Sequence, residues 1–287
     1  MSTFVILIVL SAAMLHAVWN AIVKTAADRT TMLGLVALGH VIPGIAMVLL
    51  LPLPAPESLP YVFSSTLVHF GYFYMLGRAY EHGDLSLVYP IARGIVPALV
   101  AIWALLFVGE VLPLQAWCGI ALIACGIQLS SWQALRAGFG SGANPGAGRA
   151  ALGYAVGTGF CISAYSLIDG LGVRLSGNTL SYWAWGAFLH VFVMLFIGMR
   201  KRKSLGALRP RTWMIGIGGG LVSMAAYGLV LYAKNFAPLG AVSALRETSV
   251  IFAALIGFVF LKEGNWMRRL GAAVLMAGGV ALIGTSL

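Results

Sequence analysis

Arg93 and Arg246 are the two residues of this sequence that most need a chemical explanation, because each stands inside a long apolar run. A charge at the centre of a membrane helix costs about 2.5–3.5 kcal/mol on insertion scales, so it requires a partner, a watery cavity or a task. A guanidinium can grip a carboxylate or phosphate through two oxygens, which makes both arginines candidate ligand-binding groups. The alternative is that they satisfy helix-end carbonyls or an internal acid. Glu247 and Asp169 are the acids closest to the outer-leaflet side of the predicted core. Either carboxylate can take up a proton, hold an amino group or neutralise Arg246, and the ion pair is the favoured reading. His16, Trp19 and Asn20 share a helical face at spacings of three and four. Such a stripe suits a cavity wall, with the indole covering an apolar or cationic part of a ligand; an interhelical hydrogen-bond pair is the plainer alternative. Tyr89 and Tyr165 are further candidate lining residues, Tyr165 standing between Ser163 and Ser166. His40, His69 and His190 have no partner at metal-ligand spacing and are read as packing or helix-end residues, and Cys118, Cys125 and Cys161 as small packing residues. The sequence predicts no metal, no cofactor and no catalytic residue.

The elements that must position these groups follow from composition. Of 287 residues, 60% are hydrophobic and only 9% charged, against about 25% charged in soluble domains. The natural solvent for such a chain is a bilayer. Apolar runs separated by breakers predict ten helices, at 3 to 24, 31 to 51, 58 to 80, 85 to 108, 113 to 133, 149 to 173, 179 to 199, 211 to 236, 239 to 261 and 266 to 285. The fold class expected is therefore an all-α polytopic membrane protein. A net charge of +10 does not mark a nucleic-acid partner, because the basic residues lie between apolar runs. Fourteen of the 18 Lys and Arg fall in connections after odd-numbered helices, and only Arg174 and Lys234 on the other side. Positive charge is retained in the cytoplasm, so the odd connections are placed there and both termini outside it.

Comparing the chain with itself shows a repeat. Arg93 precedes Glu110 by 17 residues and Arg246 precedes Glu263 by 17, and each Glu is followed by a glycine pair, Gly119 with Gly126 and Gly271 with Gly278. The predicted units are 1–135 and 149–287, joined by a Gly/Pro-rich loop at 136–148. Five helices per unit is an odd number, so the second enters the membrane from the opposite side and the arginines fall at mirrored depths. Glu110 and Glu263 close helices at membrane edges and suit a capping or loop-locking role.

With its "FVGE" and "FLKE" helix ends, the glycine pairs, the "HAVWNAIVK" stretch and ten short-looped spans, the sequence resembles the drug/metabolite transporter superfamily, specifically its EamA-type members. The resemblance implies a central cavity between the halves and an exporter or exchanger of small metabolites in the inner membrane. Read with the arginines, the expected cargo is a small polar anionic or zwitterionic molecule moved by alternating access. No GxxxxGK[ST] loop is present, which leaves a proton or a counter-substrate as the energy source. A flippase, or a membrane-embedded enzyme acting on a lipid-linked substrate, is the alternative; an enzyme would show clustered acids, an HExxH pair or a nucleophile with its base, and this chain shows none. Membrane lipid and a small-molecule substrate are the partners expected.

Overall fold

The computed structural model describes residues 1–82, 85–130, 132, 145–261 and 266–287, and every regular element among them is helical. The first half comprises α1 (Thr3–Lys24), α2 (Arg29–Leu50), α3 (Leu59–His82), α4 (Leu85–Gly94), α5 (Val96–Trp103) and α6 (Leu114–Ser130). The second comprises α7 (Pro145–Leu175), α8 (Thr179–Leu189), α9 (Val191–Arg200), the short α10 (Arg202–Gly206), α11 (Pro210–Ala233), α12 (Leu239–Glu247), α13 (Ser249–Leu261) and α14 (Trp266–Ser286). Among the described residues six stretches are long and apolar enough to cross a membrane, Thr3–Lys24, Arg29–Leu50, Pro90–Val108, Arg149–Leu175, Thr179–Arg200 and Pro210–Ala233. Leu114–Ser130 and Leu270–Ser286 are shorter apolar helices.

Three runs expected to be single helices are broken. The run from 85 divides at Ile95 between α4 and α5. Pro97 lacks an N–H and crowds the preceding turn, so the ladder cannot pass through. Gln128 on α6 donates its Nε2–H to the Pro90 carbonyl at 3.2 Å, and Gly94 leaves room for that amide, since a Cβ there would come within 2.3 Å of it. The run from 239 divides at Thr248, whose backbone N–H and hydroxyl both turn back to the Leu245 carbonyl, at 3.1 and 2.6 Å. The run from 179 divides at His190, whose backbone N–H bonds Ala187 rather than Gly186. Nδ1–H of His190 takes the Gly186 carbonyl instead, at 2.9 Å.

Each helix of one half packs on a helix of the other in a reciprocal pattern: α1 on α11 and α3 on α7, α2 on α8, α5 on α12, α6 on α14. First pairs with third, third with first, and the rest with their own counterparts, as two halves related by a two-fold axis require. The outer surface is apolar, with Leu49, Leu67, Phe107 and Met199 exposed, while Arg93, Asp169, Lys234, Arg246 and Glu247 are buried. That inversion of inside and outside fits a lipid solvent.

Glycines let the helices approach. Gly39 and Gly220 meet backbone to backbone, where a Cβ on Gly39 would lie 2.4 Å from the Ile217 carbonyl oxygen. Gly119 meets Gly279, Gly216 meets Leu35, Gly126 meets Met276 and Gly157 meets Met75. Gly153 has open space where its Cβ would be, and Gly278 and Gly271 accommodate a Cβ at ordinary distances. Gly39→Leu is therefore expected to cost about 1–3 kcal/mol through overpacking and to lower the thermal unfolding midpoint in detergent, whereas Gly218→Leu, at a position with nothing within 4 Å of its Cβ, leaves that midpoint unchanged.

Candidate functional site

The broken helices deliver the charges. Arg93 sits in the last turn of α4, and Arg246 and Glu247 in the last turn of α12. A helix C-terminus carries partial negative charge, so it favours a cation there. The two ends meet between the halves. Glu247, fully enclosed, takes Arg93 Nε at 2.8 Å on one oxygen and Arg246 Nη2 at 3.4 Å on the other. Arg246 Nε has no hydrogen-bond partner among the described residues. Two guanidiniums thus share one carboxylate.

His16 on α1 joins this cluster, with Arg93 Nη2 donating to its Nε2 at 3.1 Å. The Trp19 indole N–H points at Nδ1 of the same ring at 3.2 Å, and the rings stand perpendicular. A neutral imidazole has one lone pair in its plane, so the two donors compete for it and the permanently charged guanidinium wins. Asn20 turns its amide N–H back to the His16 carbonyl at 2.7 Å. These four sequence-derived residues are therefore brought together. The Tyr89 side chain lies outside the described residues, as does that of Glu263.

Tyr165 and Asp169 form a neighbouring polar layer on α7. Asp169 is not paired with Arg246; it accepts hydrogen bonds from Tyr182 at 2.9 Å and from Tyr227. Tyr165 stacks on His69 with ring centroids 4.0 Å apart and faces Tyr227 and Tyr72. Arg246 is within electrostatic reach of both Tyr165 and Tyr227, which connects the two layers. Lys234, at the end of α11, is wholly buried; its ammonium donates to the Ser166 carbonyl at 2.8 Å and hydroxyl at 3.1 Å and lies 5.8 Å from the Tyr227 ring.

The sequence alone puts Lys234 near the outer end of the helix expected at 211 to 236 and reads His40, His69 and His190 as packing or helix-end residues. A signal was present: Lys234 and Arg174 are the basic residues on the side that the charge bias leaves nearly bare, and both are tied into the interior. Arg174 donates to Glu110 at 2.6 Å and to the carbonyls of Lys234 and Ala237. The other oxygen of Glu110 accepts the N–H of Leu239 at 2.7 Å, capping α12. This joins the halves at one end of the bundle. At the other end Lys201 donates to Asp28 at 2.9 Å, and Asp28 also caps α2 through the N–H of Thr31.

The model of the EamA-like transporter family matches residues 3–132 and 149–285, one copy for each half. The chain belongs to that family: it is an integral membrane transporter of the drug/metabolite transporter type, built from two repeats. A search of curated proteins finds no match. Among 29 matching chains of solved structures, one titled "Crystal structure of protein" covers 99% of each chain with a TM-score of 0.75 and 17% identity. That likeness establishes the shared fold.

Glu247→Gln removes the carboxylate that the two buried guanidiniums share and is expected to cost about 3–5 kcal/mol, with most of the stability recovered on adding Arg246→Met; equal instability of the double variant would contradict the shared carboxylate. The hydrogen bond from Lys201, with Thr31 adding to it, holds the Asp28 carboxyl down at about 2. A depressed carboxylate contributes stability above its unfolded value of about 3.9 and loses it as pH falls toward 2. Because both partners are about one-third exposed, the effect is about 0.5 kcal/mol. Lys201→Ala should therefore lower the unfolding midpoint slightly at pH 7, with the difference vanishing near pH 2.

Proposed function

We propose that this transporter is a secondary carrier with ten spans that moves a small anionic or zwitterionic metabolite by alternating access. The observation that carries the reading is the Arg93–Glu247–Arg246 cluster: two buried guanidiniums against one carboxylate, at the ends of two helices broken at corresponding places in the two halves. Interrupted helices at matching positions mark substrate sites in inverted-repeat transporters, because freed helix ends and their charges face the cavity. Arg246 Nε, a buried donor with no hydrogen-bond partner among the described residues, suits a carboxylate, phosphonate or phosphate group. The aromatic wall of Tyr165, Tyr227 and Trp19 suits the remainder of such a molecule, with Asp169 the acid nearest to an amino group.

Alternating access is supported by contacts between the halves at both ends, Glu110 with Arg174 and Leu239 at one and Asp28 with Lys201 at the other. Opening either end requires its own polar contact to part. The repeat units are taken as 1–135 and 149–287, the location as the plasma (inner) membrane, and the orientation as both termini outside the cytoplasm, following the charge bias. Cargo movement is driven by a proton or a counter-substrate.

The test is a thermal-shift panel on the purified protein, comprising amino acids, monocarboxylates, phosphonates, sugars and nucleosides. Carboxylate- or phosphonate-bearing compounds should raise the unfolding midpoint, and Arg246→Ala should weaken that binding at least tenfold, or about 1.4 kcal/mol. A response confined to uncharged sugars or nucleosides, or one unchanged in Arg246→Ala, would defeat the assignment.

A further inference from the structure

His40 and His190 occupy the same place in the two halves. Each lies eleven residues from the start of a 22-residue span, Arg29–Leu50 for one and Thr179–Arg200 for the other. Both positions fall at mid-span, and the structure sets the rings side by side with centroids 4.6 Å apart and planes tilted by 32°. The contacts on either side run in opposite directions along the two helices: Gly34 meets Ile197, and Gly44 meets Ala187 and Phe188. The crossing is therefore centred on the two histidines, which places them on the two-fold axis relating the halves. His69 on α3 comes within 6.1 Å of His190 and has no mirror image, because α11, also 24 residues long, carries Gly220 at the corresponding position.

The tautomers of two rings are fixed by their anchors. Nδ1 of His190 bonds the Gly186 carbonyl at 2.9 Å and Nδ1 of His69 the Ser65 carbonyl at 2.8 Å. A carbonyl only accepts, so both Nδ1 atoms carry hydrogen and both Nε2 atoms carry the lone pair. His40 Nδ1 is buried with no hydrogen-bond partner among the described residues, and the Trp183 ring stands edge-on to His40 at 5.8 Å. The groups facing the trio from the surrounding helices are Asp169, within electrostatic reach of His69 and His190, Arg246 and Lys234, within reach of His69, and Tyr165, stacked on His69.

We propose that the His40–His190 pair binds the proton that drives transport, with His69 as its one-sided neighbour. This rests on the alternating-access reading. The step is simple: the proton bonds to one imidazole lone pair, that ring becomes imidazolium, no other bond breaks, and the charge is shared with the ring beside it. Exchange of conformation between the halves leaves an axial pair in the centre while reversing which side of the membrane reaches it, as a coupling-ion site requires. Because His69 belongs to one half only, it stabilises the protonated pair differently in the two conformations. A carrier needs that difference if proton binding is to bias the exchange.

The experiment uses the full chain in nanodiscs of phosphatidylethanolamine and phosphatidylglycerol, with histidine labelled at 13Cε1, followed by NMR from pH 4.5 to 8.5. His40 and His190 should titrate together, and His190→Gln should move the His40 midpoint by about one pH unit, a tenfold change in proton affinity. Proton uptake by the unsubstituted protein, measured with a pH indicator after a pH jump, should be one per chain for the pair. Independent titration of the two rings, or no uptake by either across this range, would overturn the proposal. The thermal-shift panel separates the two readings. Carboxylate binding without joint titration removes the proton site and leaves the carrier, whereas joint titration without carboxylate binding removes the cargo assignment and leaves the proton site.

Discussion

A carboxylate held between two guanidiniums, away from water and from lipid, is the interaction around which the bundle is arranged. Three such charges are tolerated only where each has a counter-charge and the backbone around it has spare polar groups. Helix ends supply both. Breaking α4 from α5 and α12 from α13 places Arg93 and Arg246 in C-terminal turns, whose dipoles favour cations. The breaks free backbone carbonyls, and these are answered locally by Gln128 and by the Thr248 hydroxyl. The cluster and the irregular backbone are thus one feature, since each would be costly without the other.

The packing between halves serves the same cluster. Glycines bring α2 onto α11 and α6 onto α14 closely enough that the flanking helices act as a rigid frame. The contacts that hold the ends are of another kind. Glu110 ties the start of α12 to Arg174, so the helix bearing Arg246 and Glu247 is anchored at its far end by a residue of the other half. Movement at that end must therefore be felt at the cluster eight residues away. Lys234, bonded to Ser166 and within reach of Asp169, fixes the end of α11 to α7 in the same region.

The spans, the two halves and the two arginines were legible because each leaves a mark in one dimension: a long apolar run, a repeated Arg-to-Glu spacing, a charge inside a hydrophobic segment. The helix breaks were less so. Pro97 announces one, but Thr248 and His190 break their helices through side-chain bonds to nearby carbonyls, which depend on rotamers that a hydropathy pattern does not contain. The grouping of His40, His69 and His190 was invisible for a different reason. Each lies on its own helix with no partner nearby in sequence, and only the antiparallel crossing of α2 and α8 brings two of them together. Asp169 illustrates the remaining gap: charge alone assigned it to Arg246, whereas the tyrosines that bind it, Tyr182 and Tyr227, carry no charge and stand 13 and 58 residues away.

Symmetry and its violations can be separated residue by residue. Arg93 matches Arg246, and His40 matches His190; in the proposed exchange of conformation between the halves these pairs keep their relation. Glu247 has Gly94 as its counterpart, and His69 has Gly220. In both cases a glycine fills the mirrored position, and there it permits a close approach, of Gln128 to Gly94 and of Gly39 to Gly220. The same position thus carries a titratable side chain in one half and a packing surface in the other. A fully symmetric carrier would have equal energies in its two end states and no preferred resting conformation. An acid found only in the second half and an imidazole found only in the first remove that degeneracy, since charge in each end state meets a different set of neighbours. In the proton-coupled alternating-access mechanism proposed above, the symmetric residues make the exchange possible, and the unsymmetric ones set which state the empty, the protonated and the loaded protein prefers.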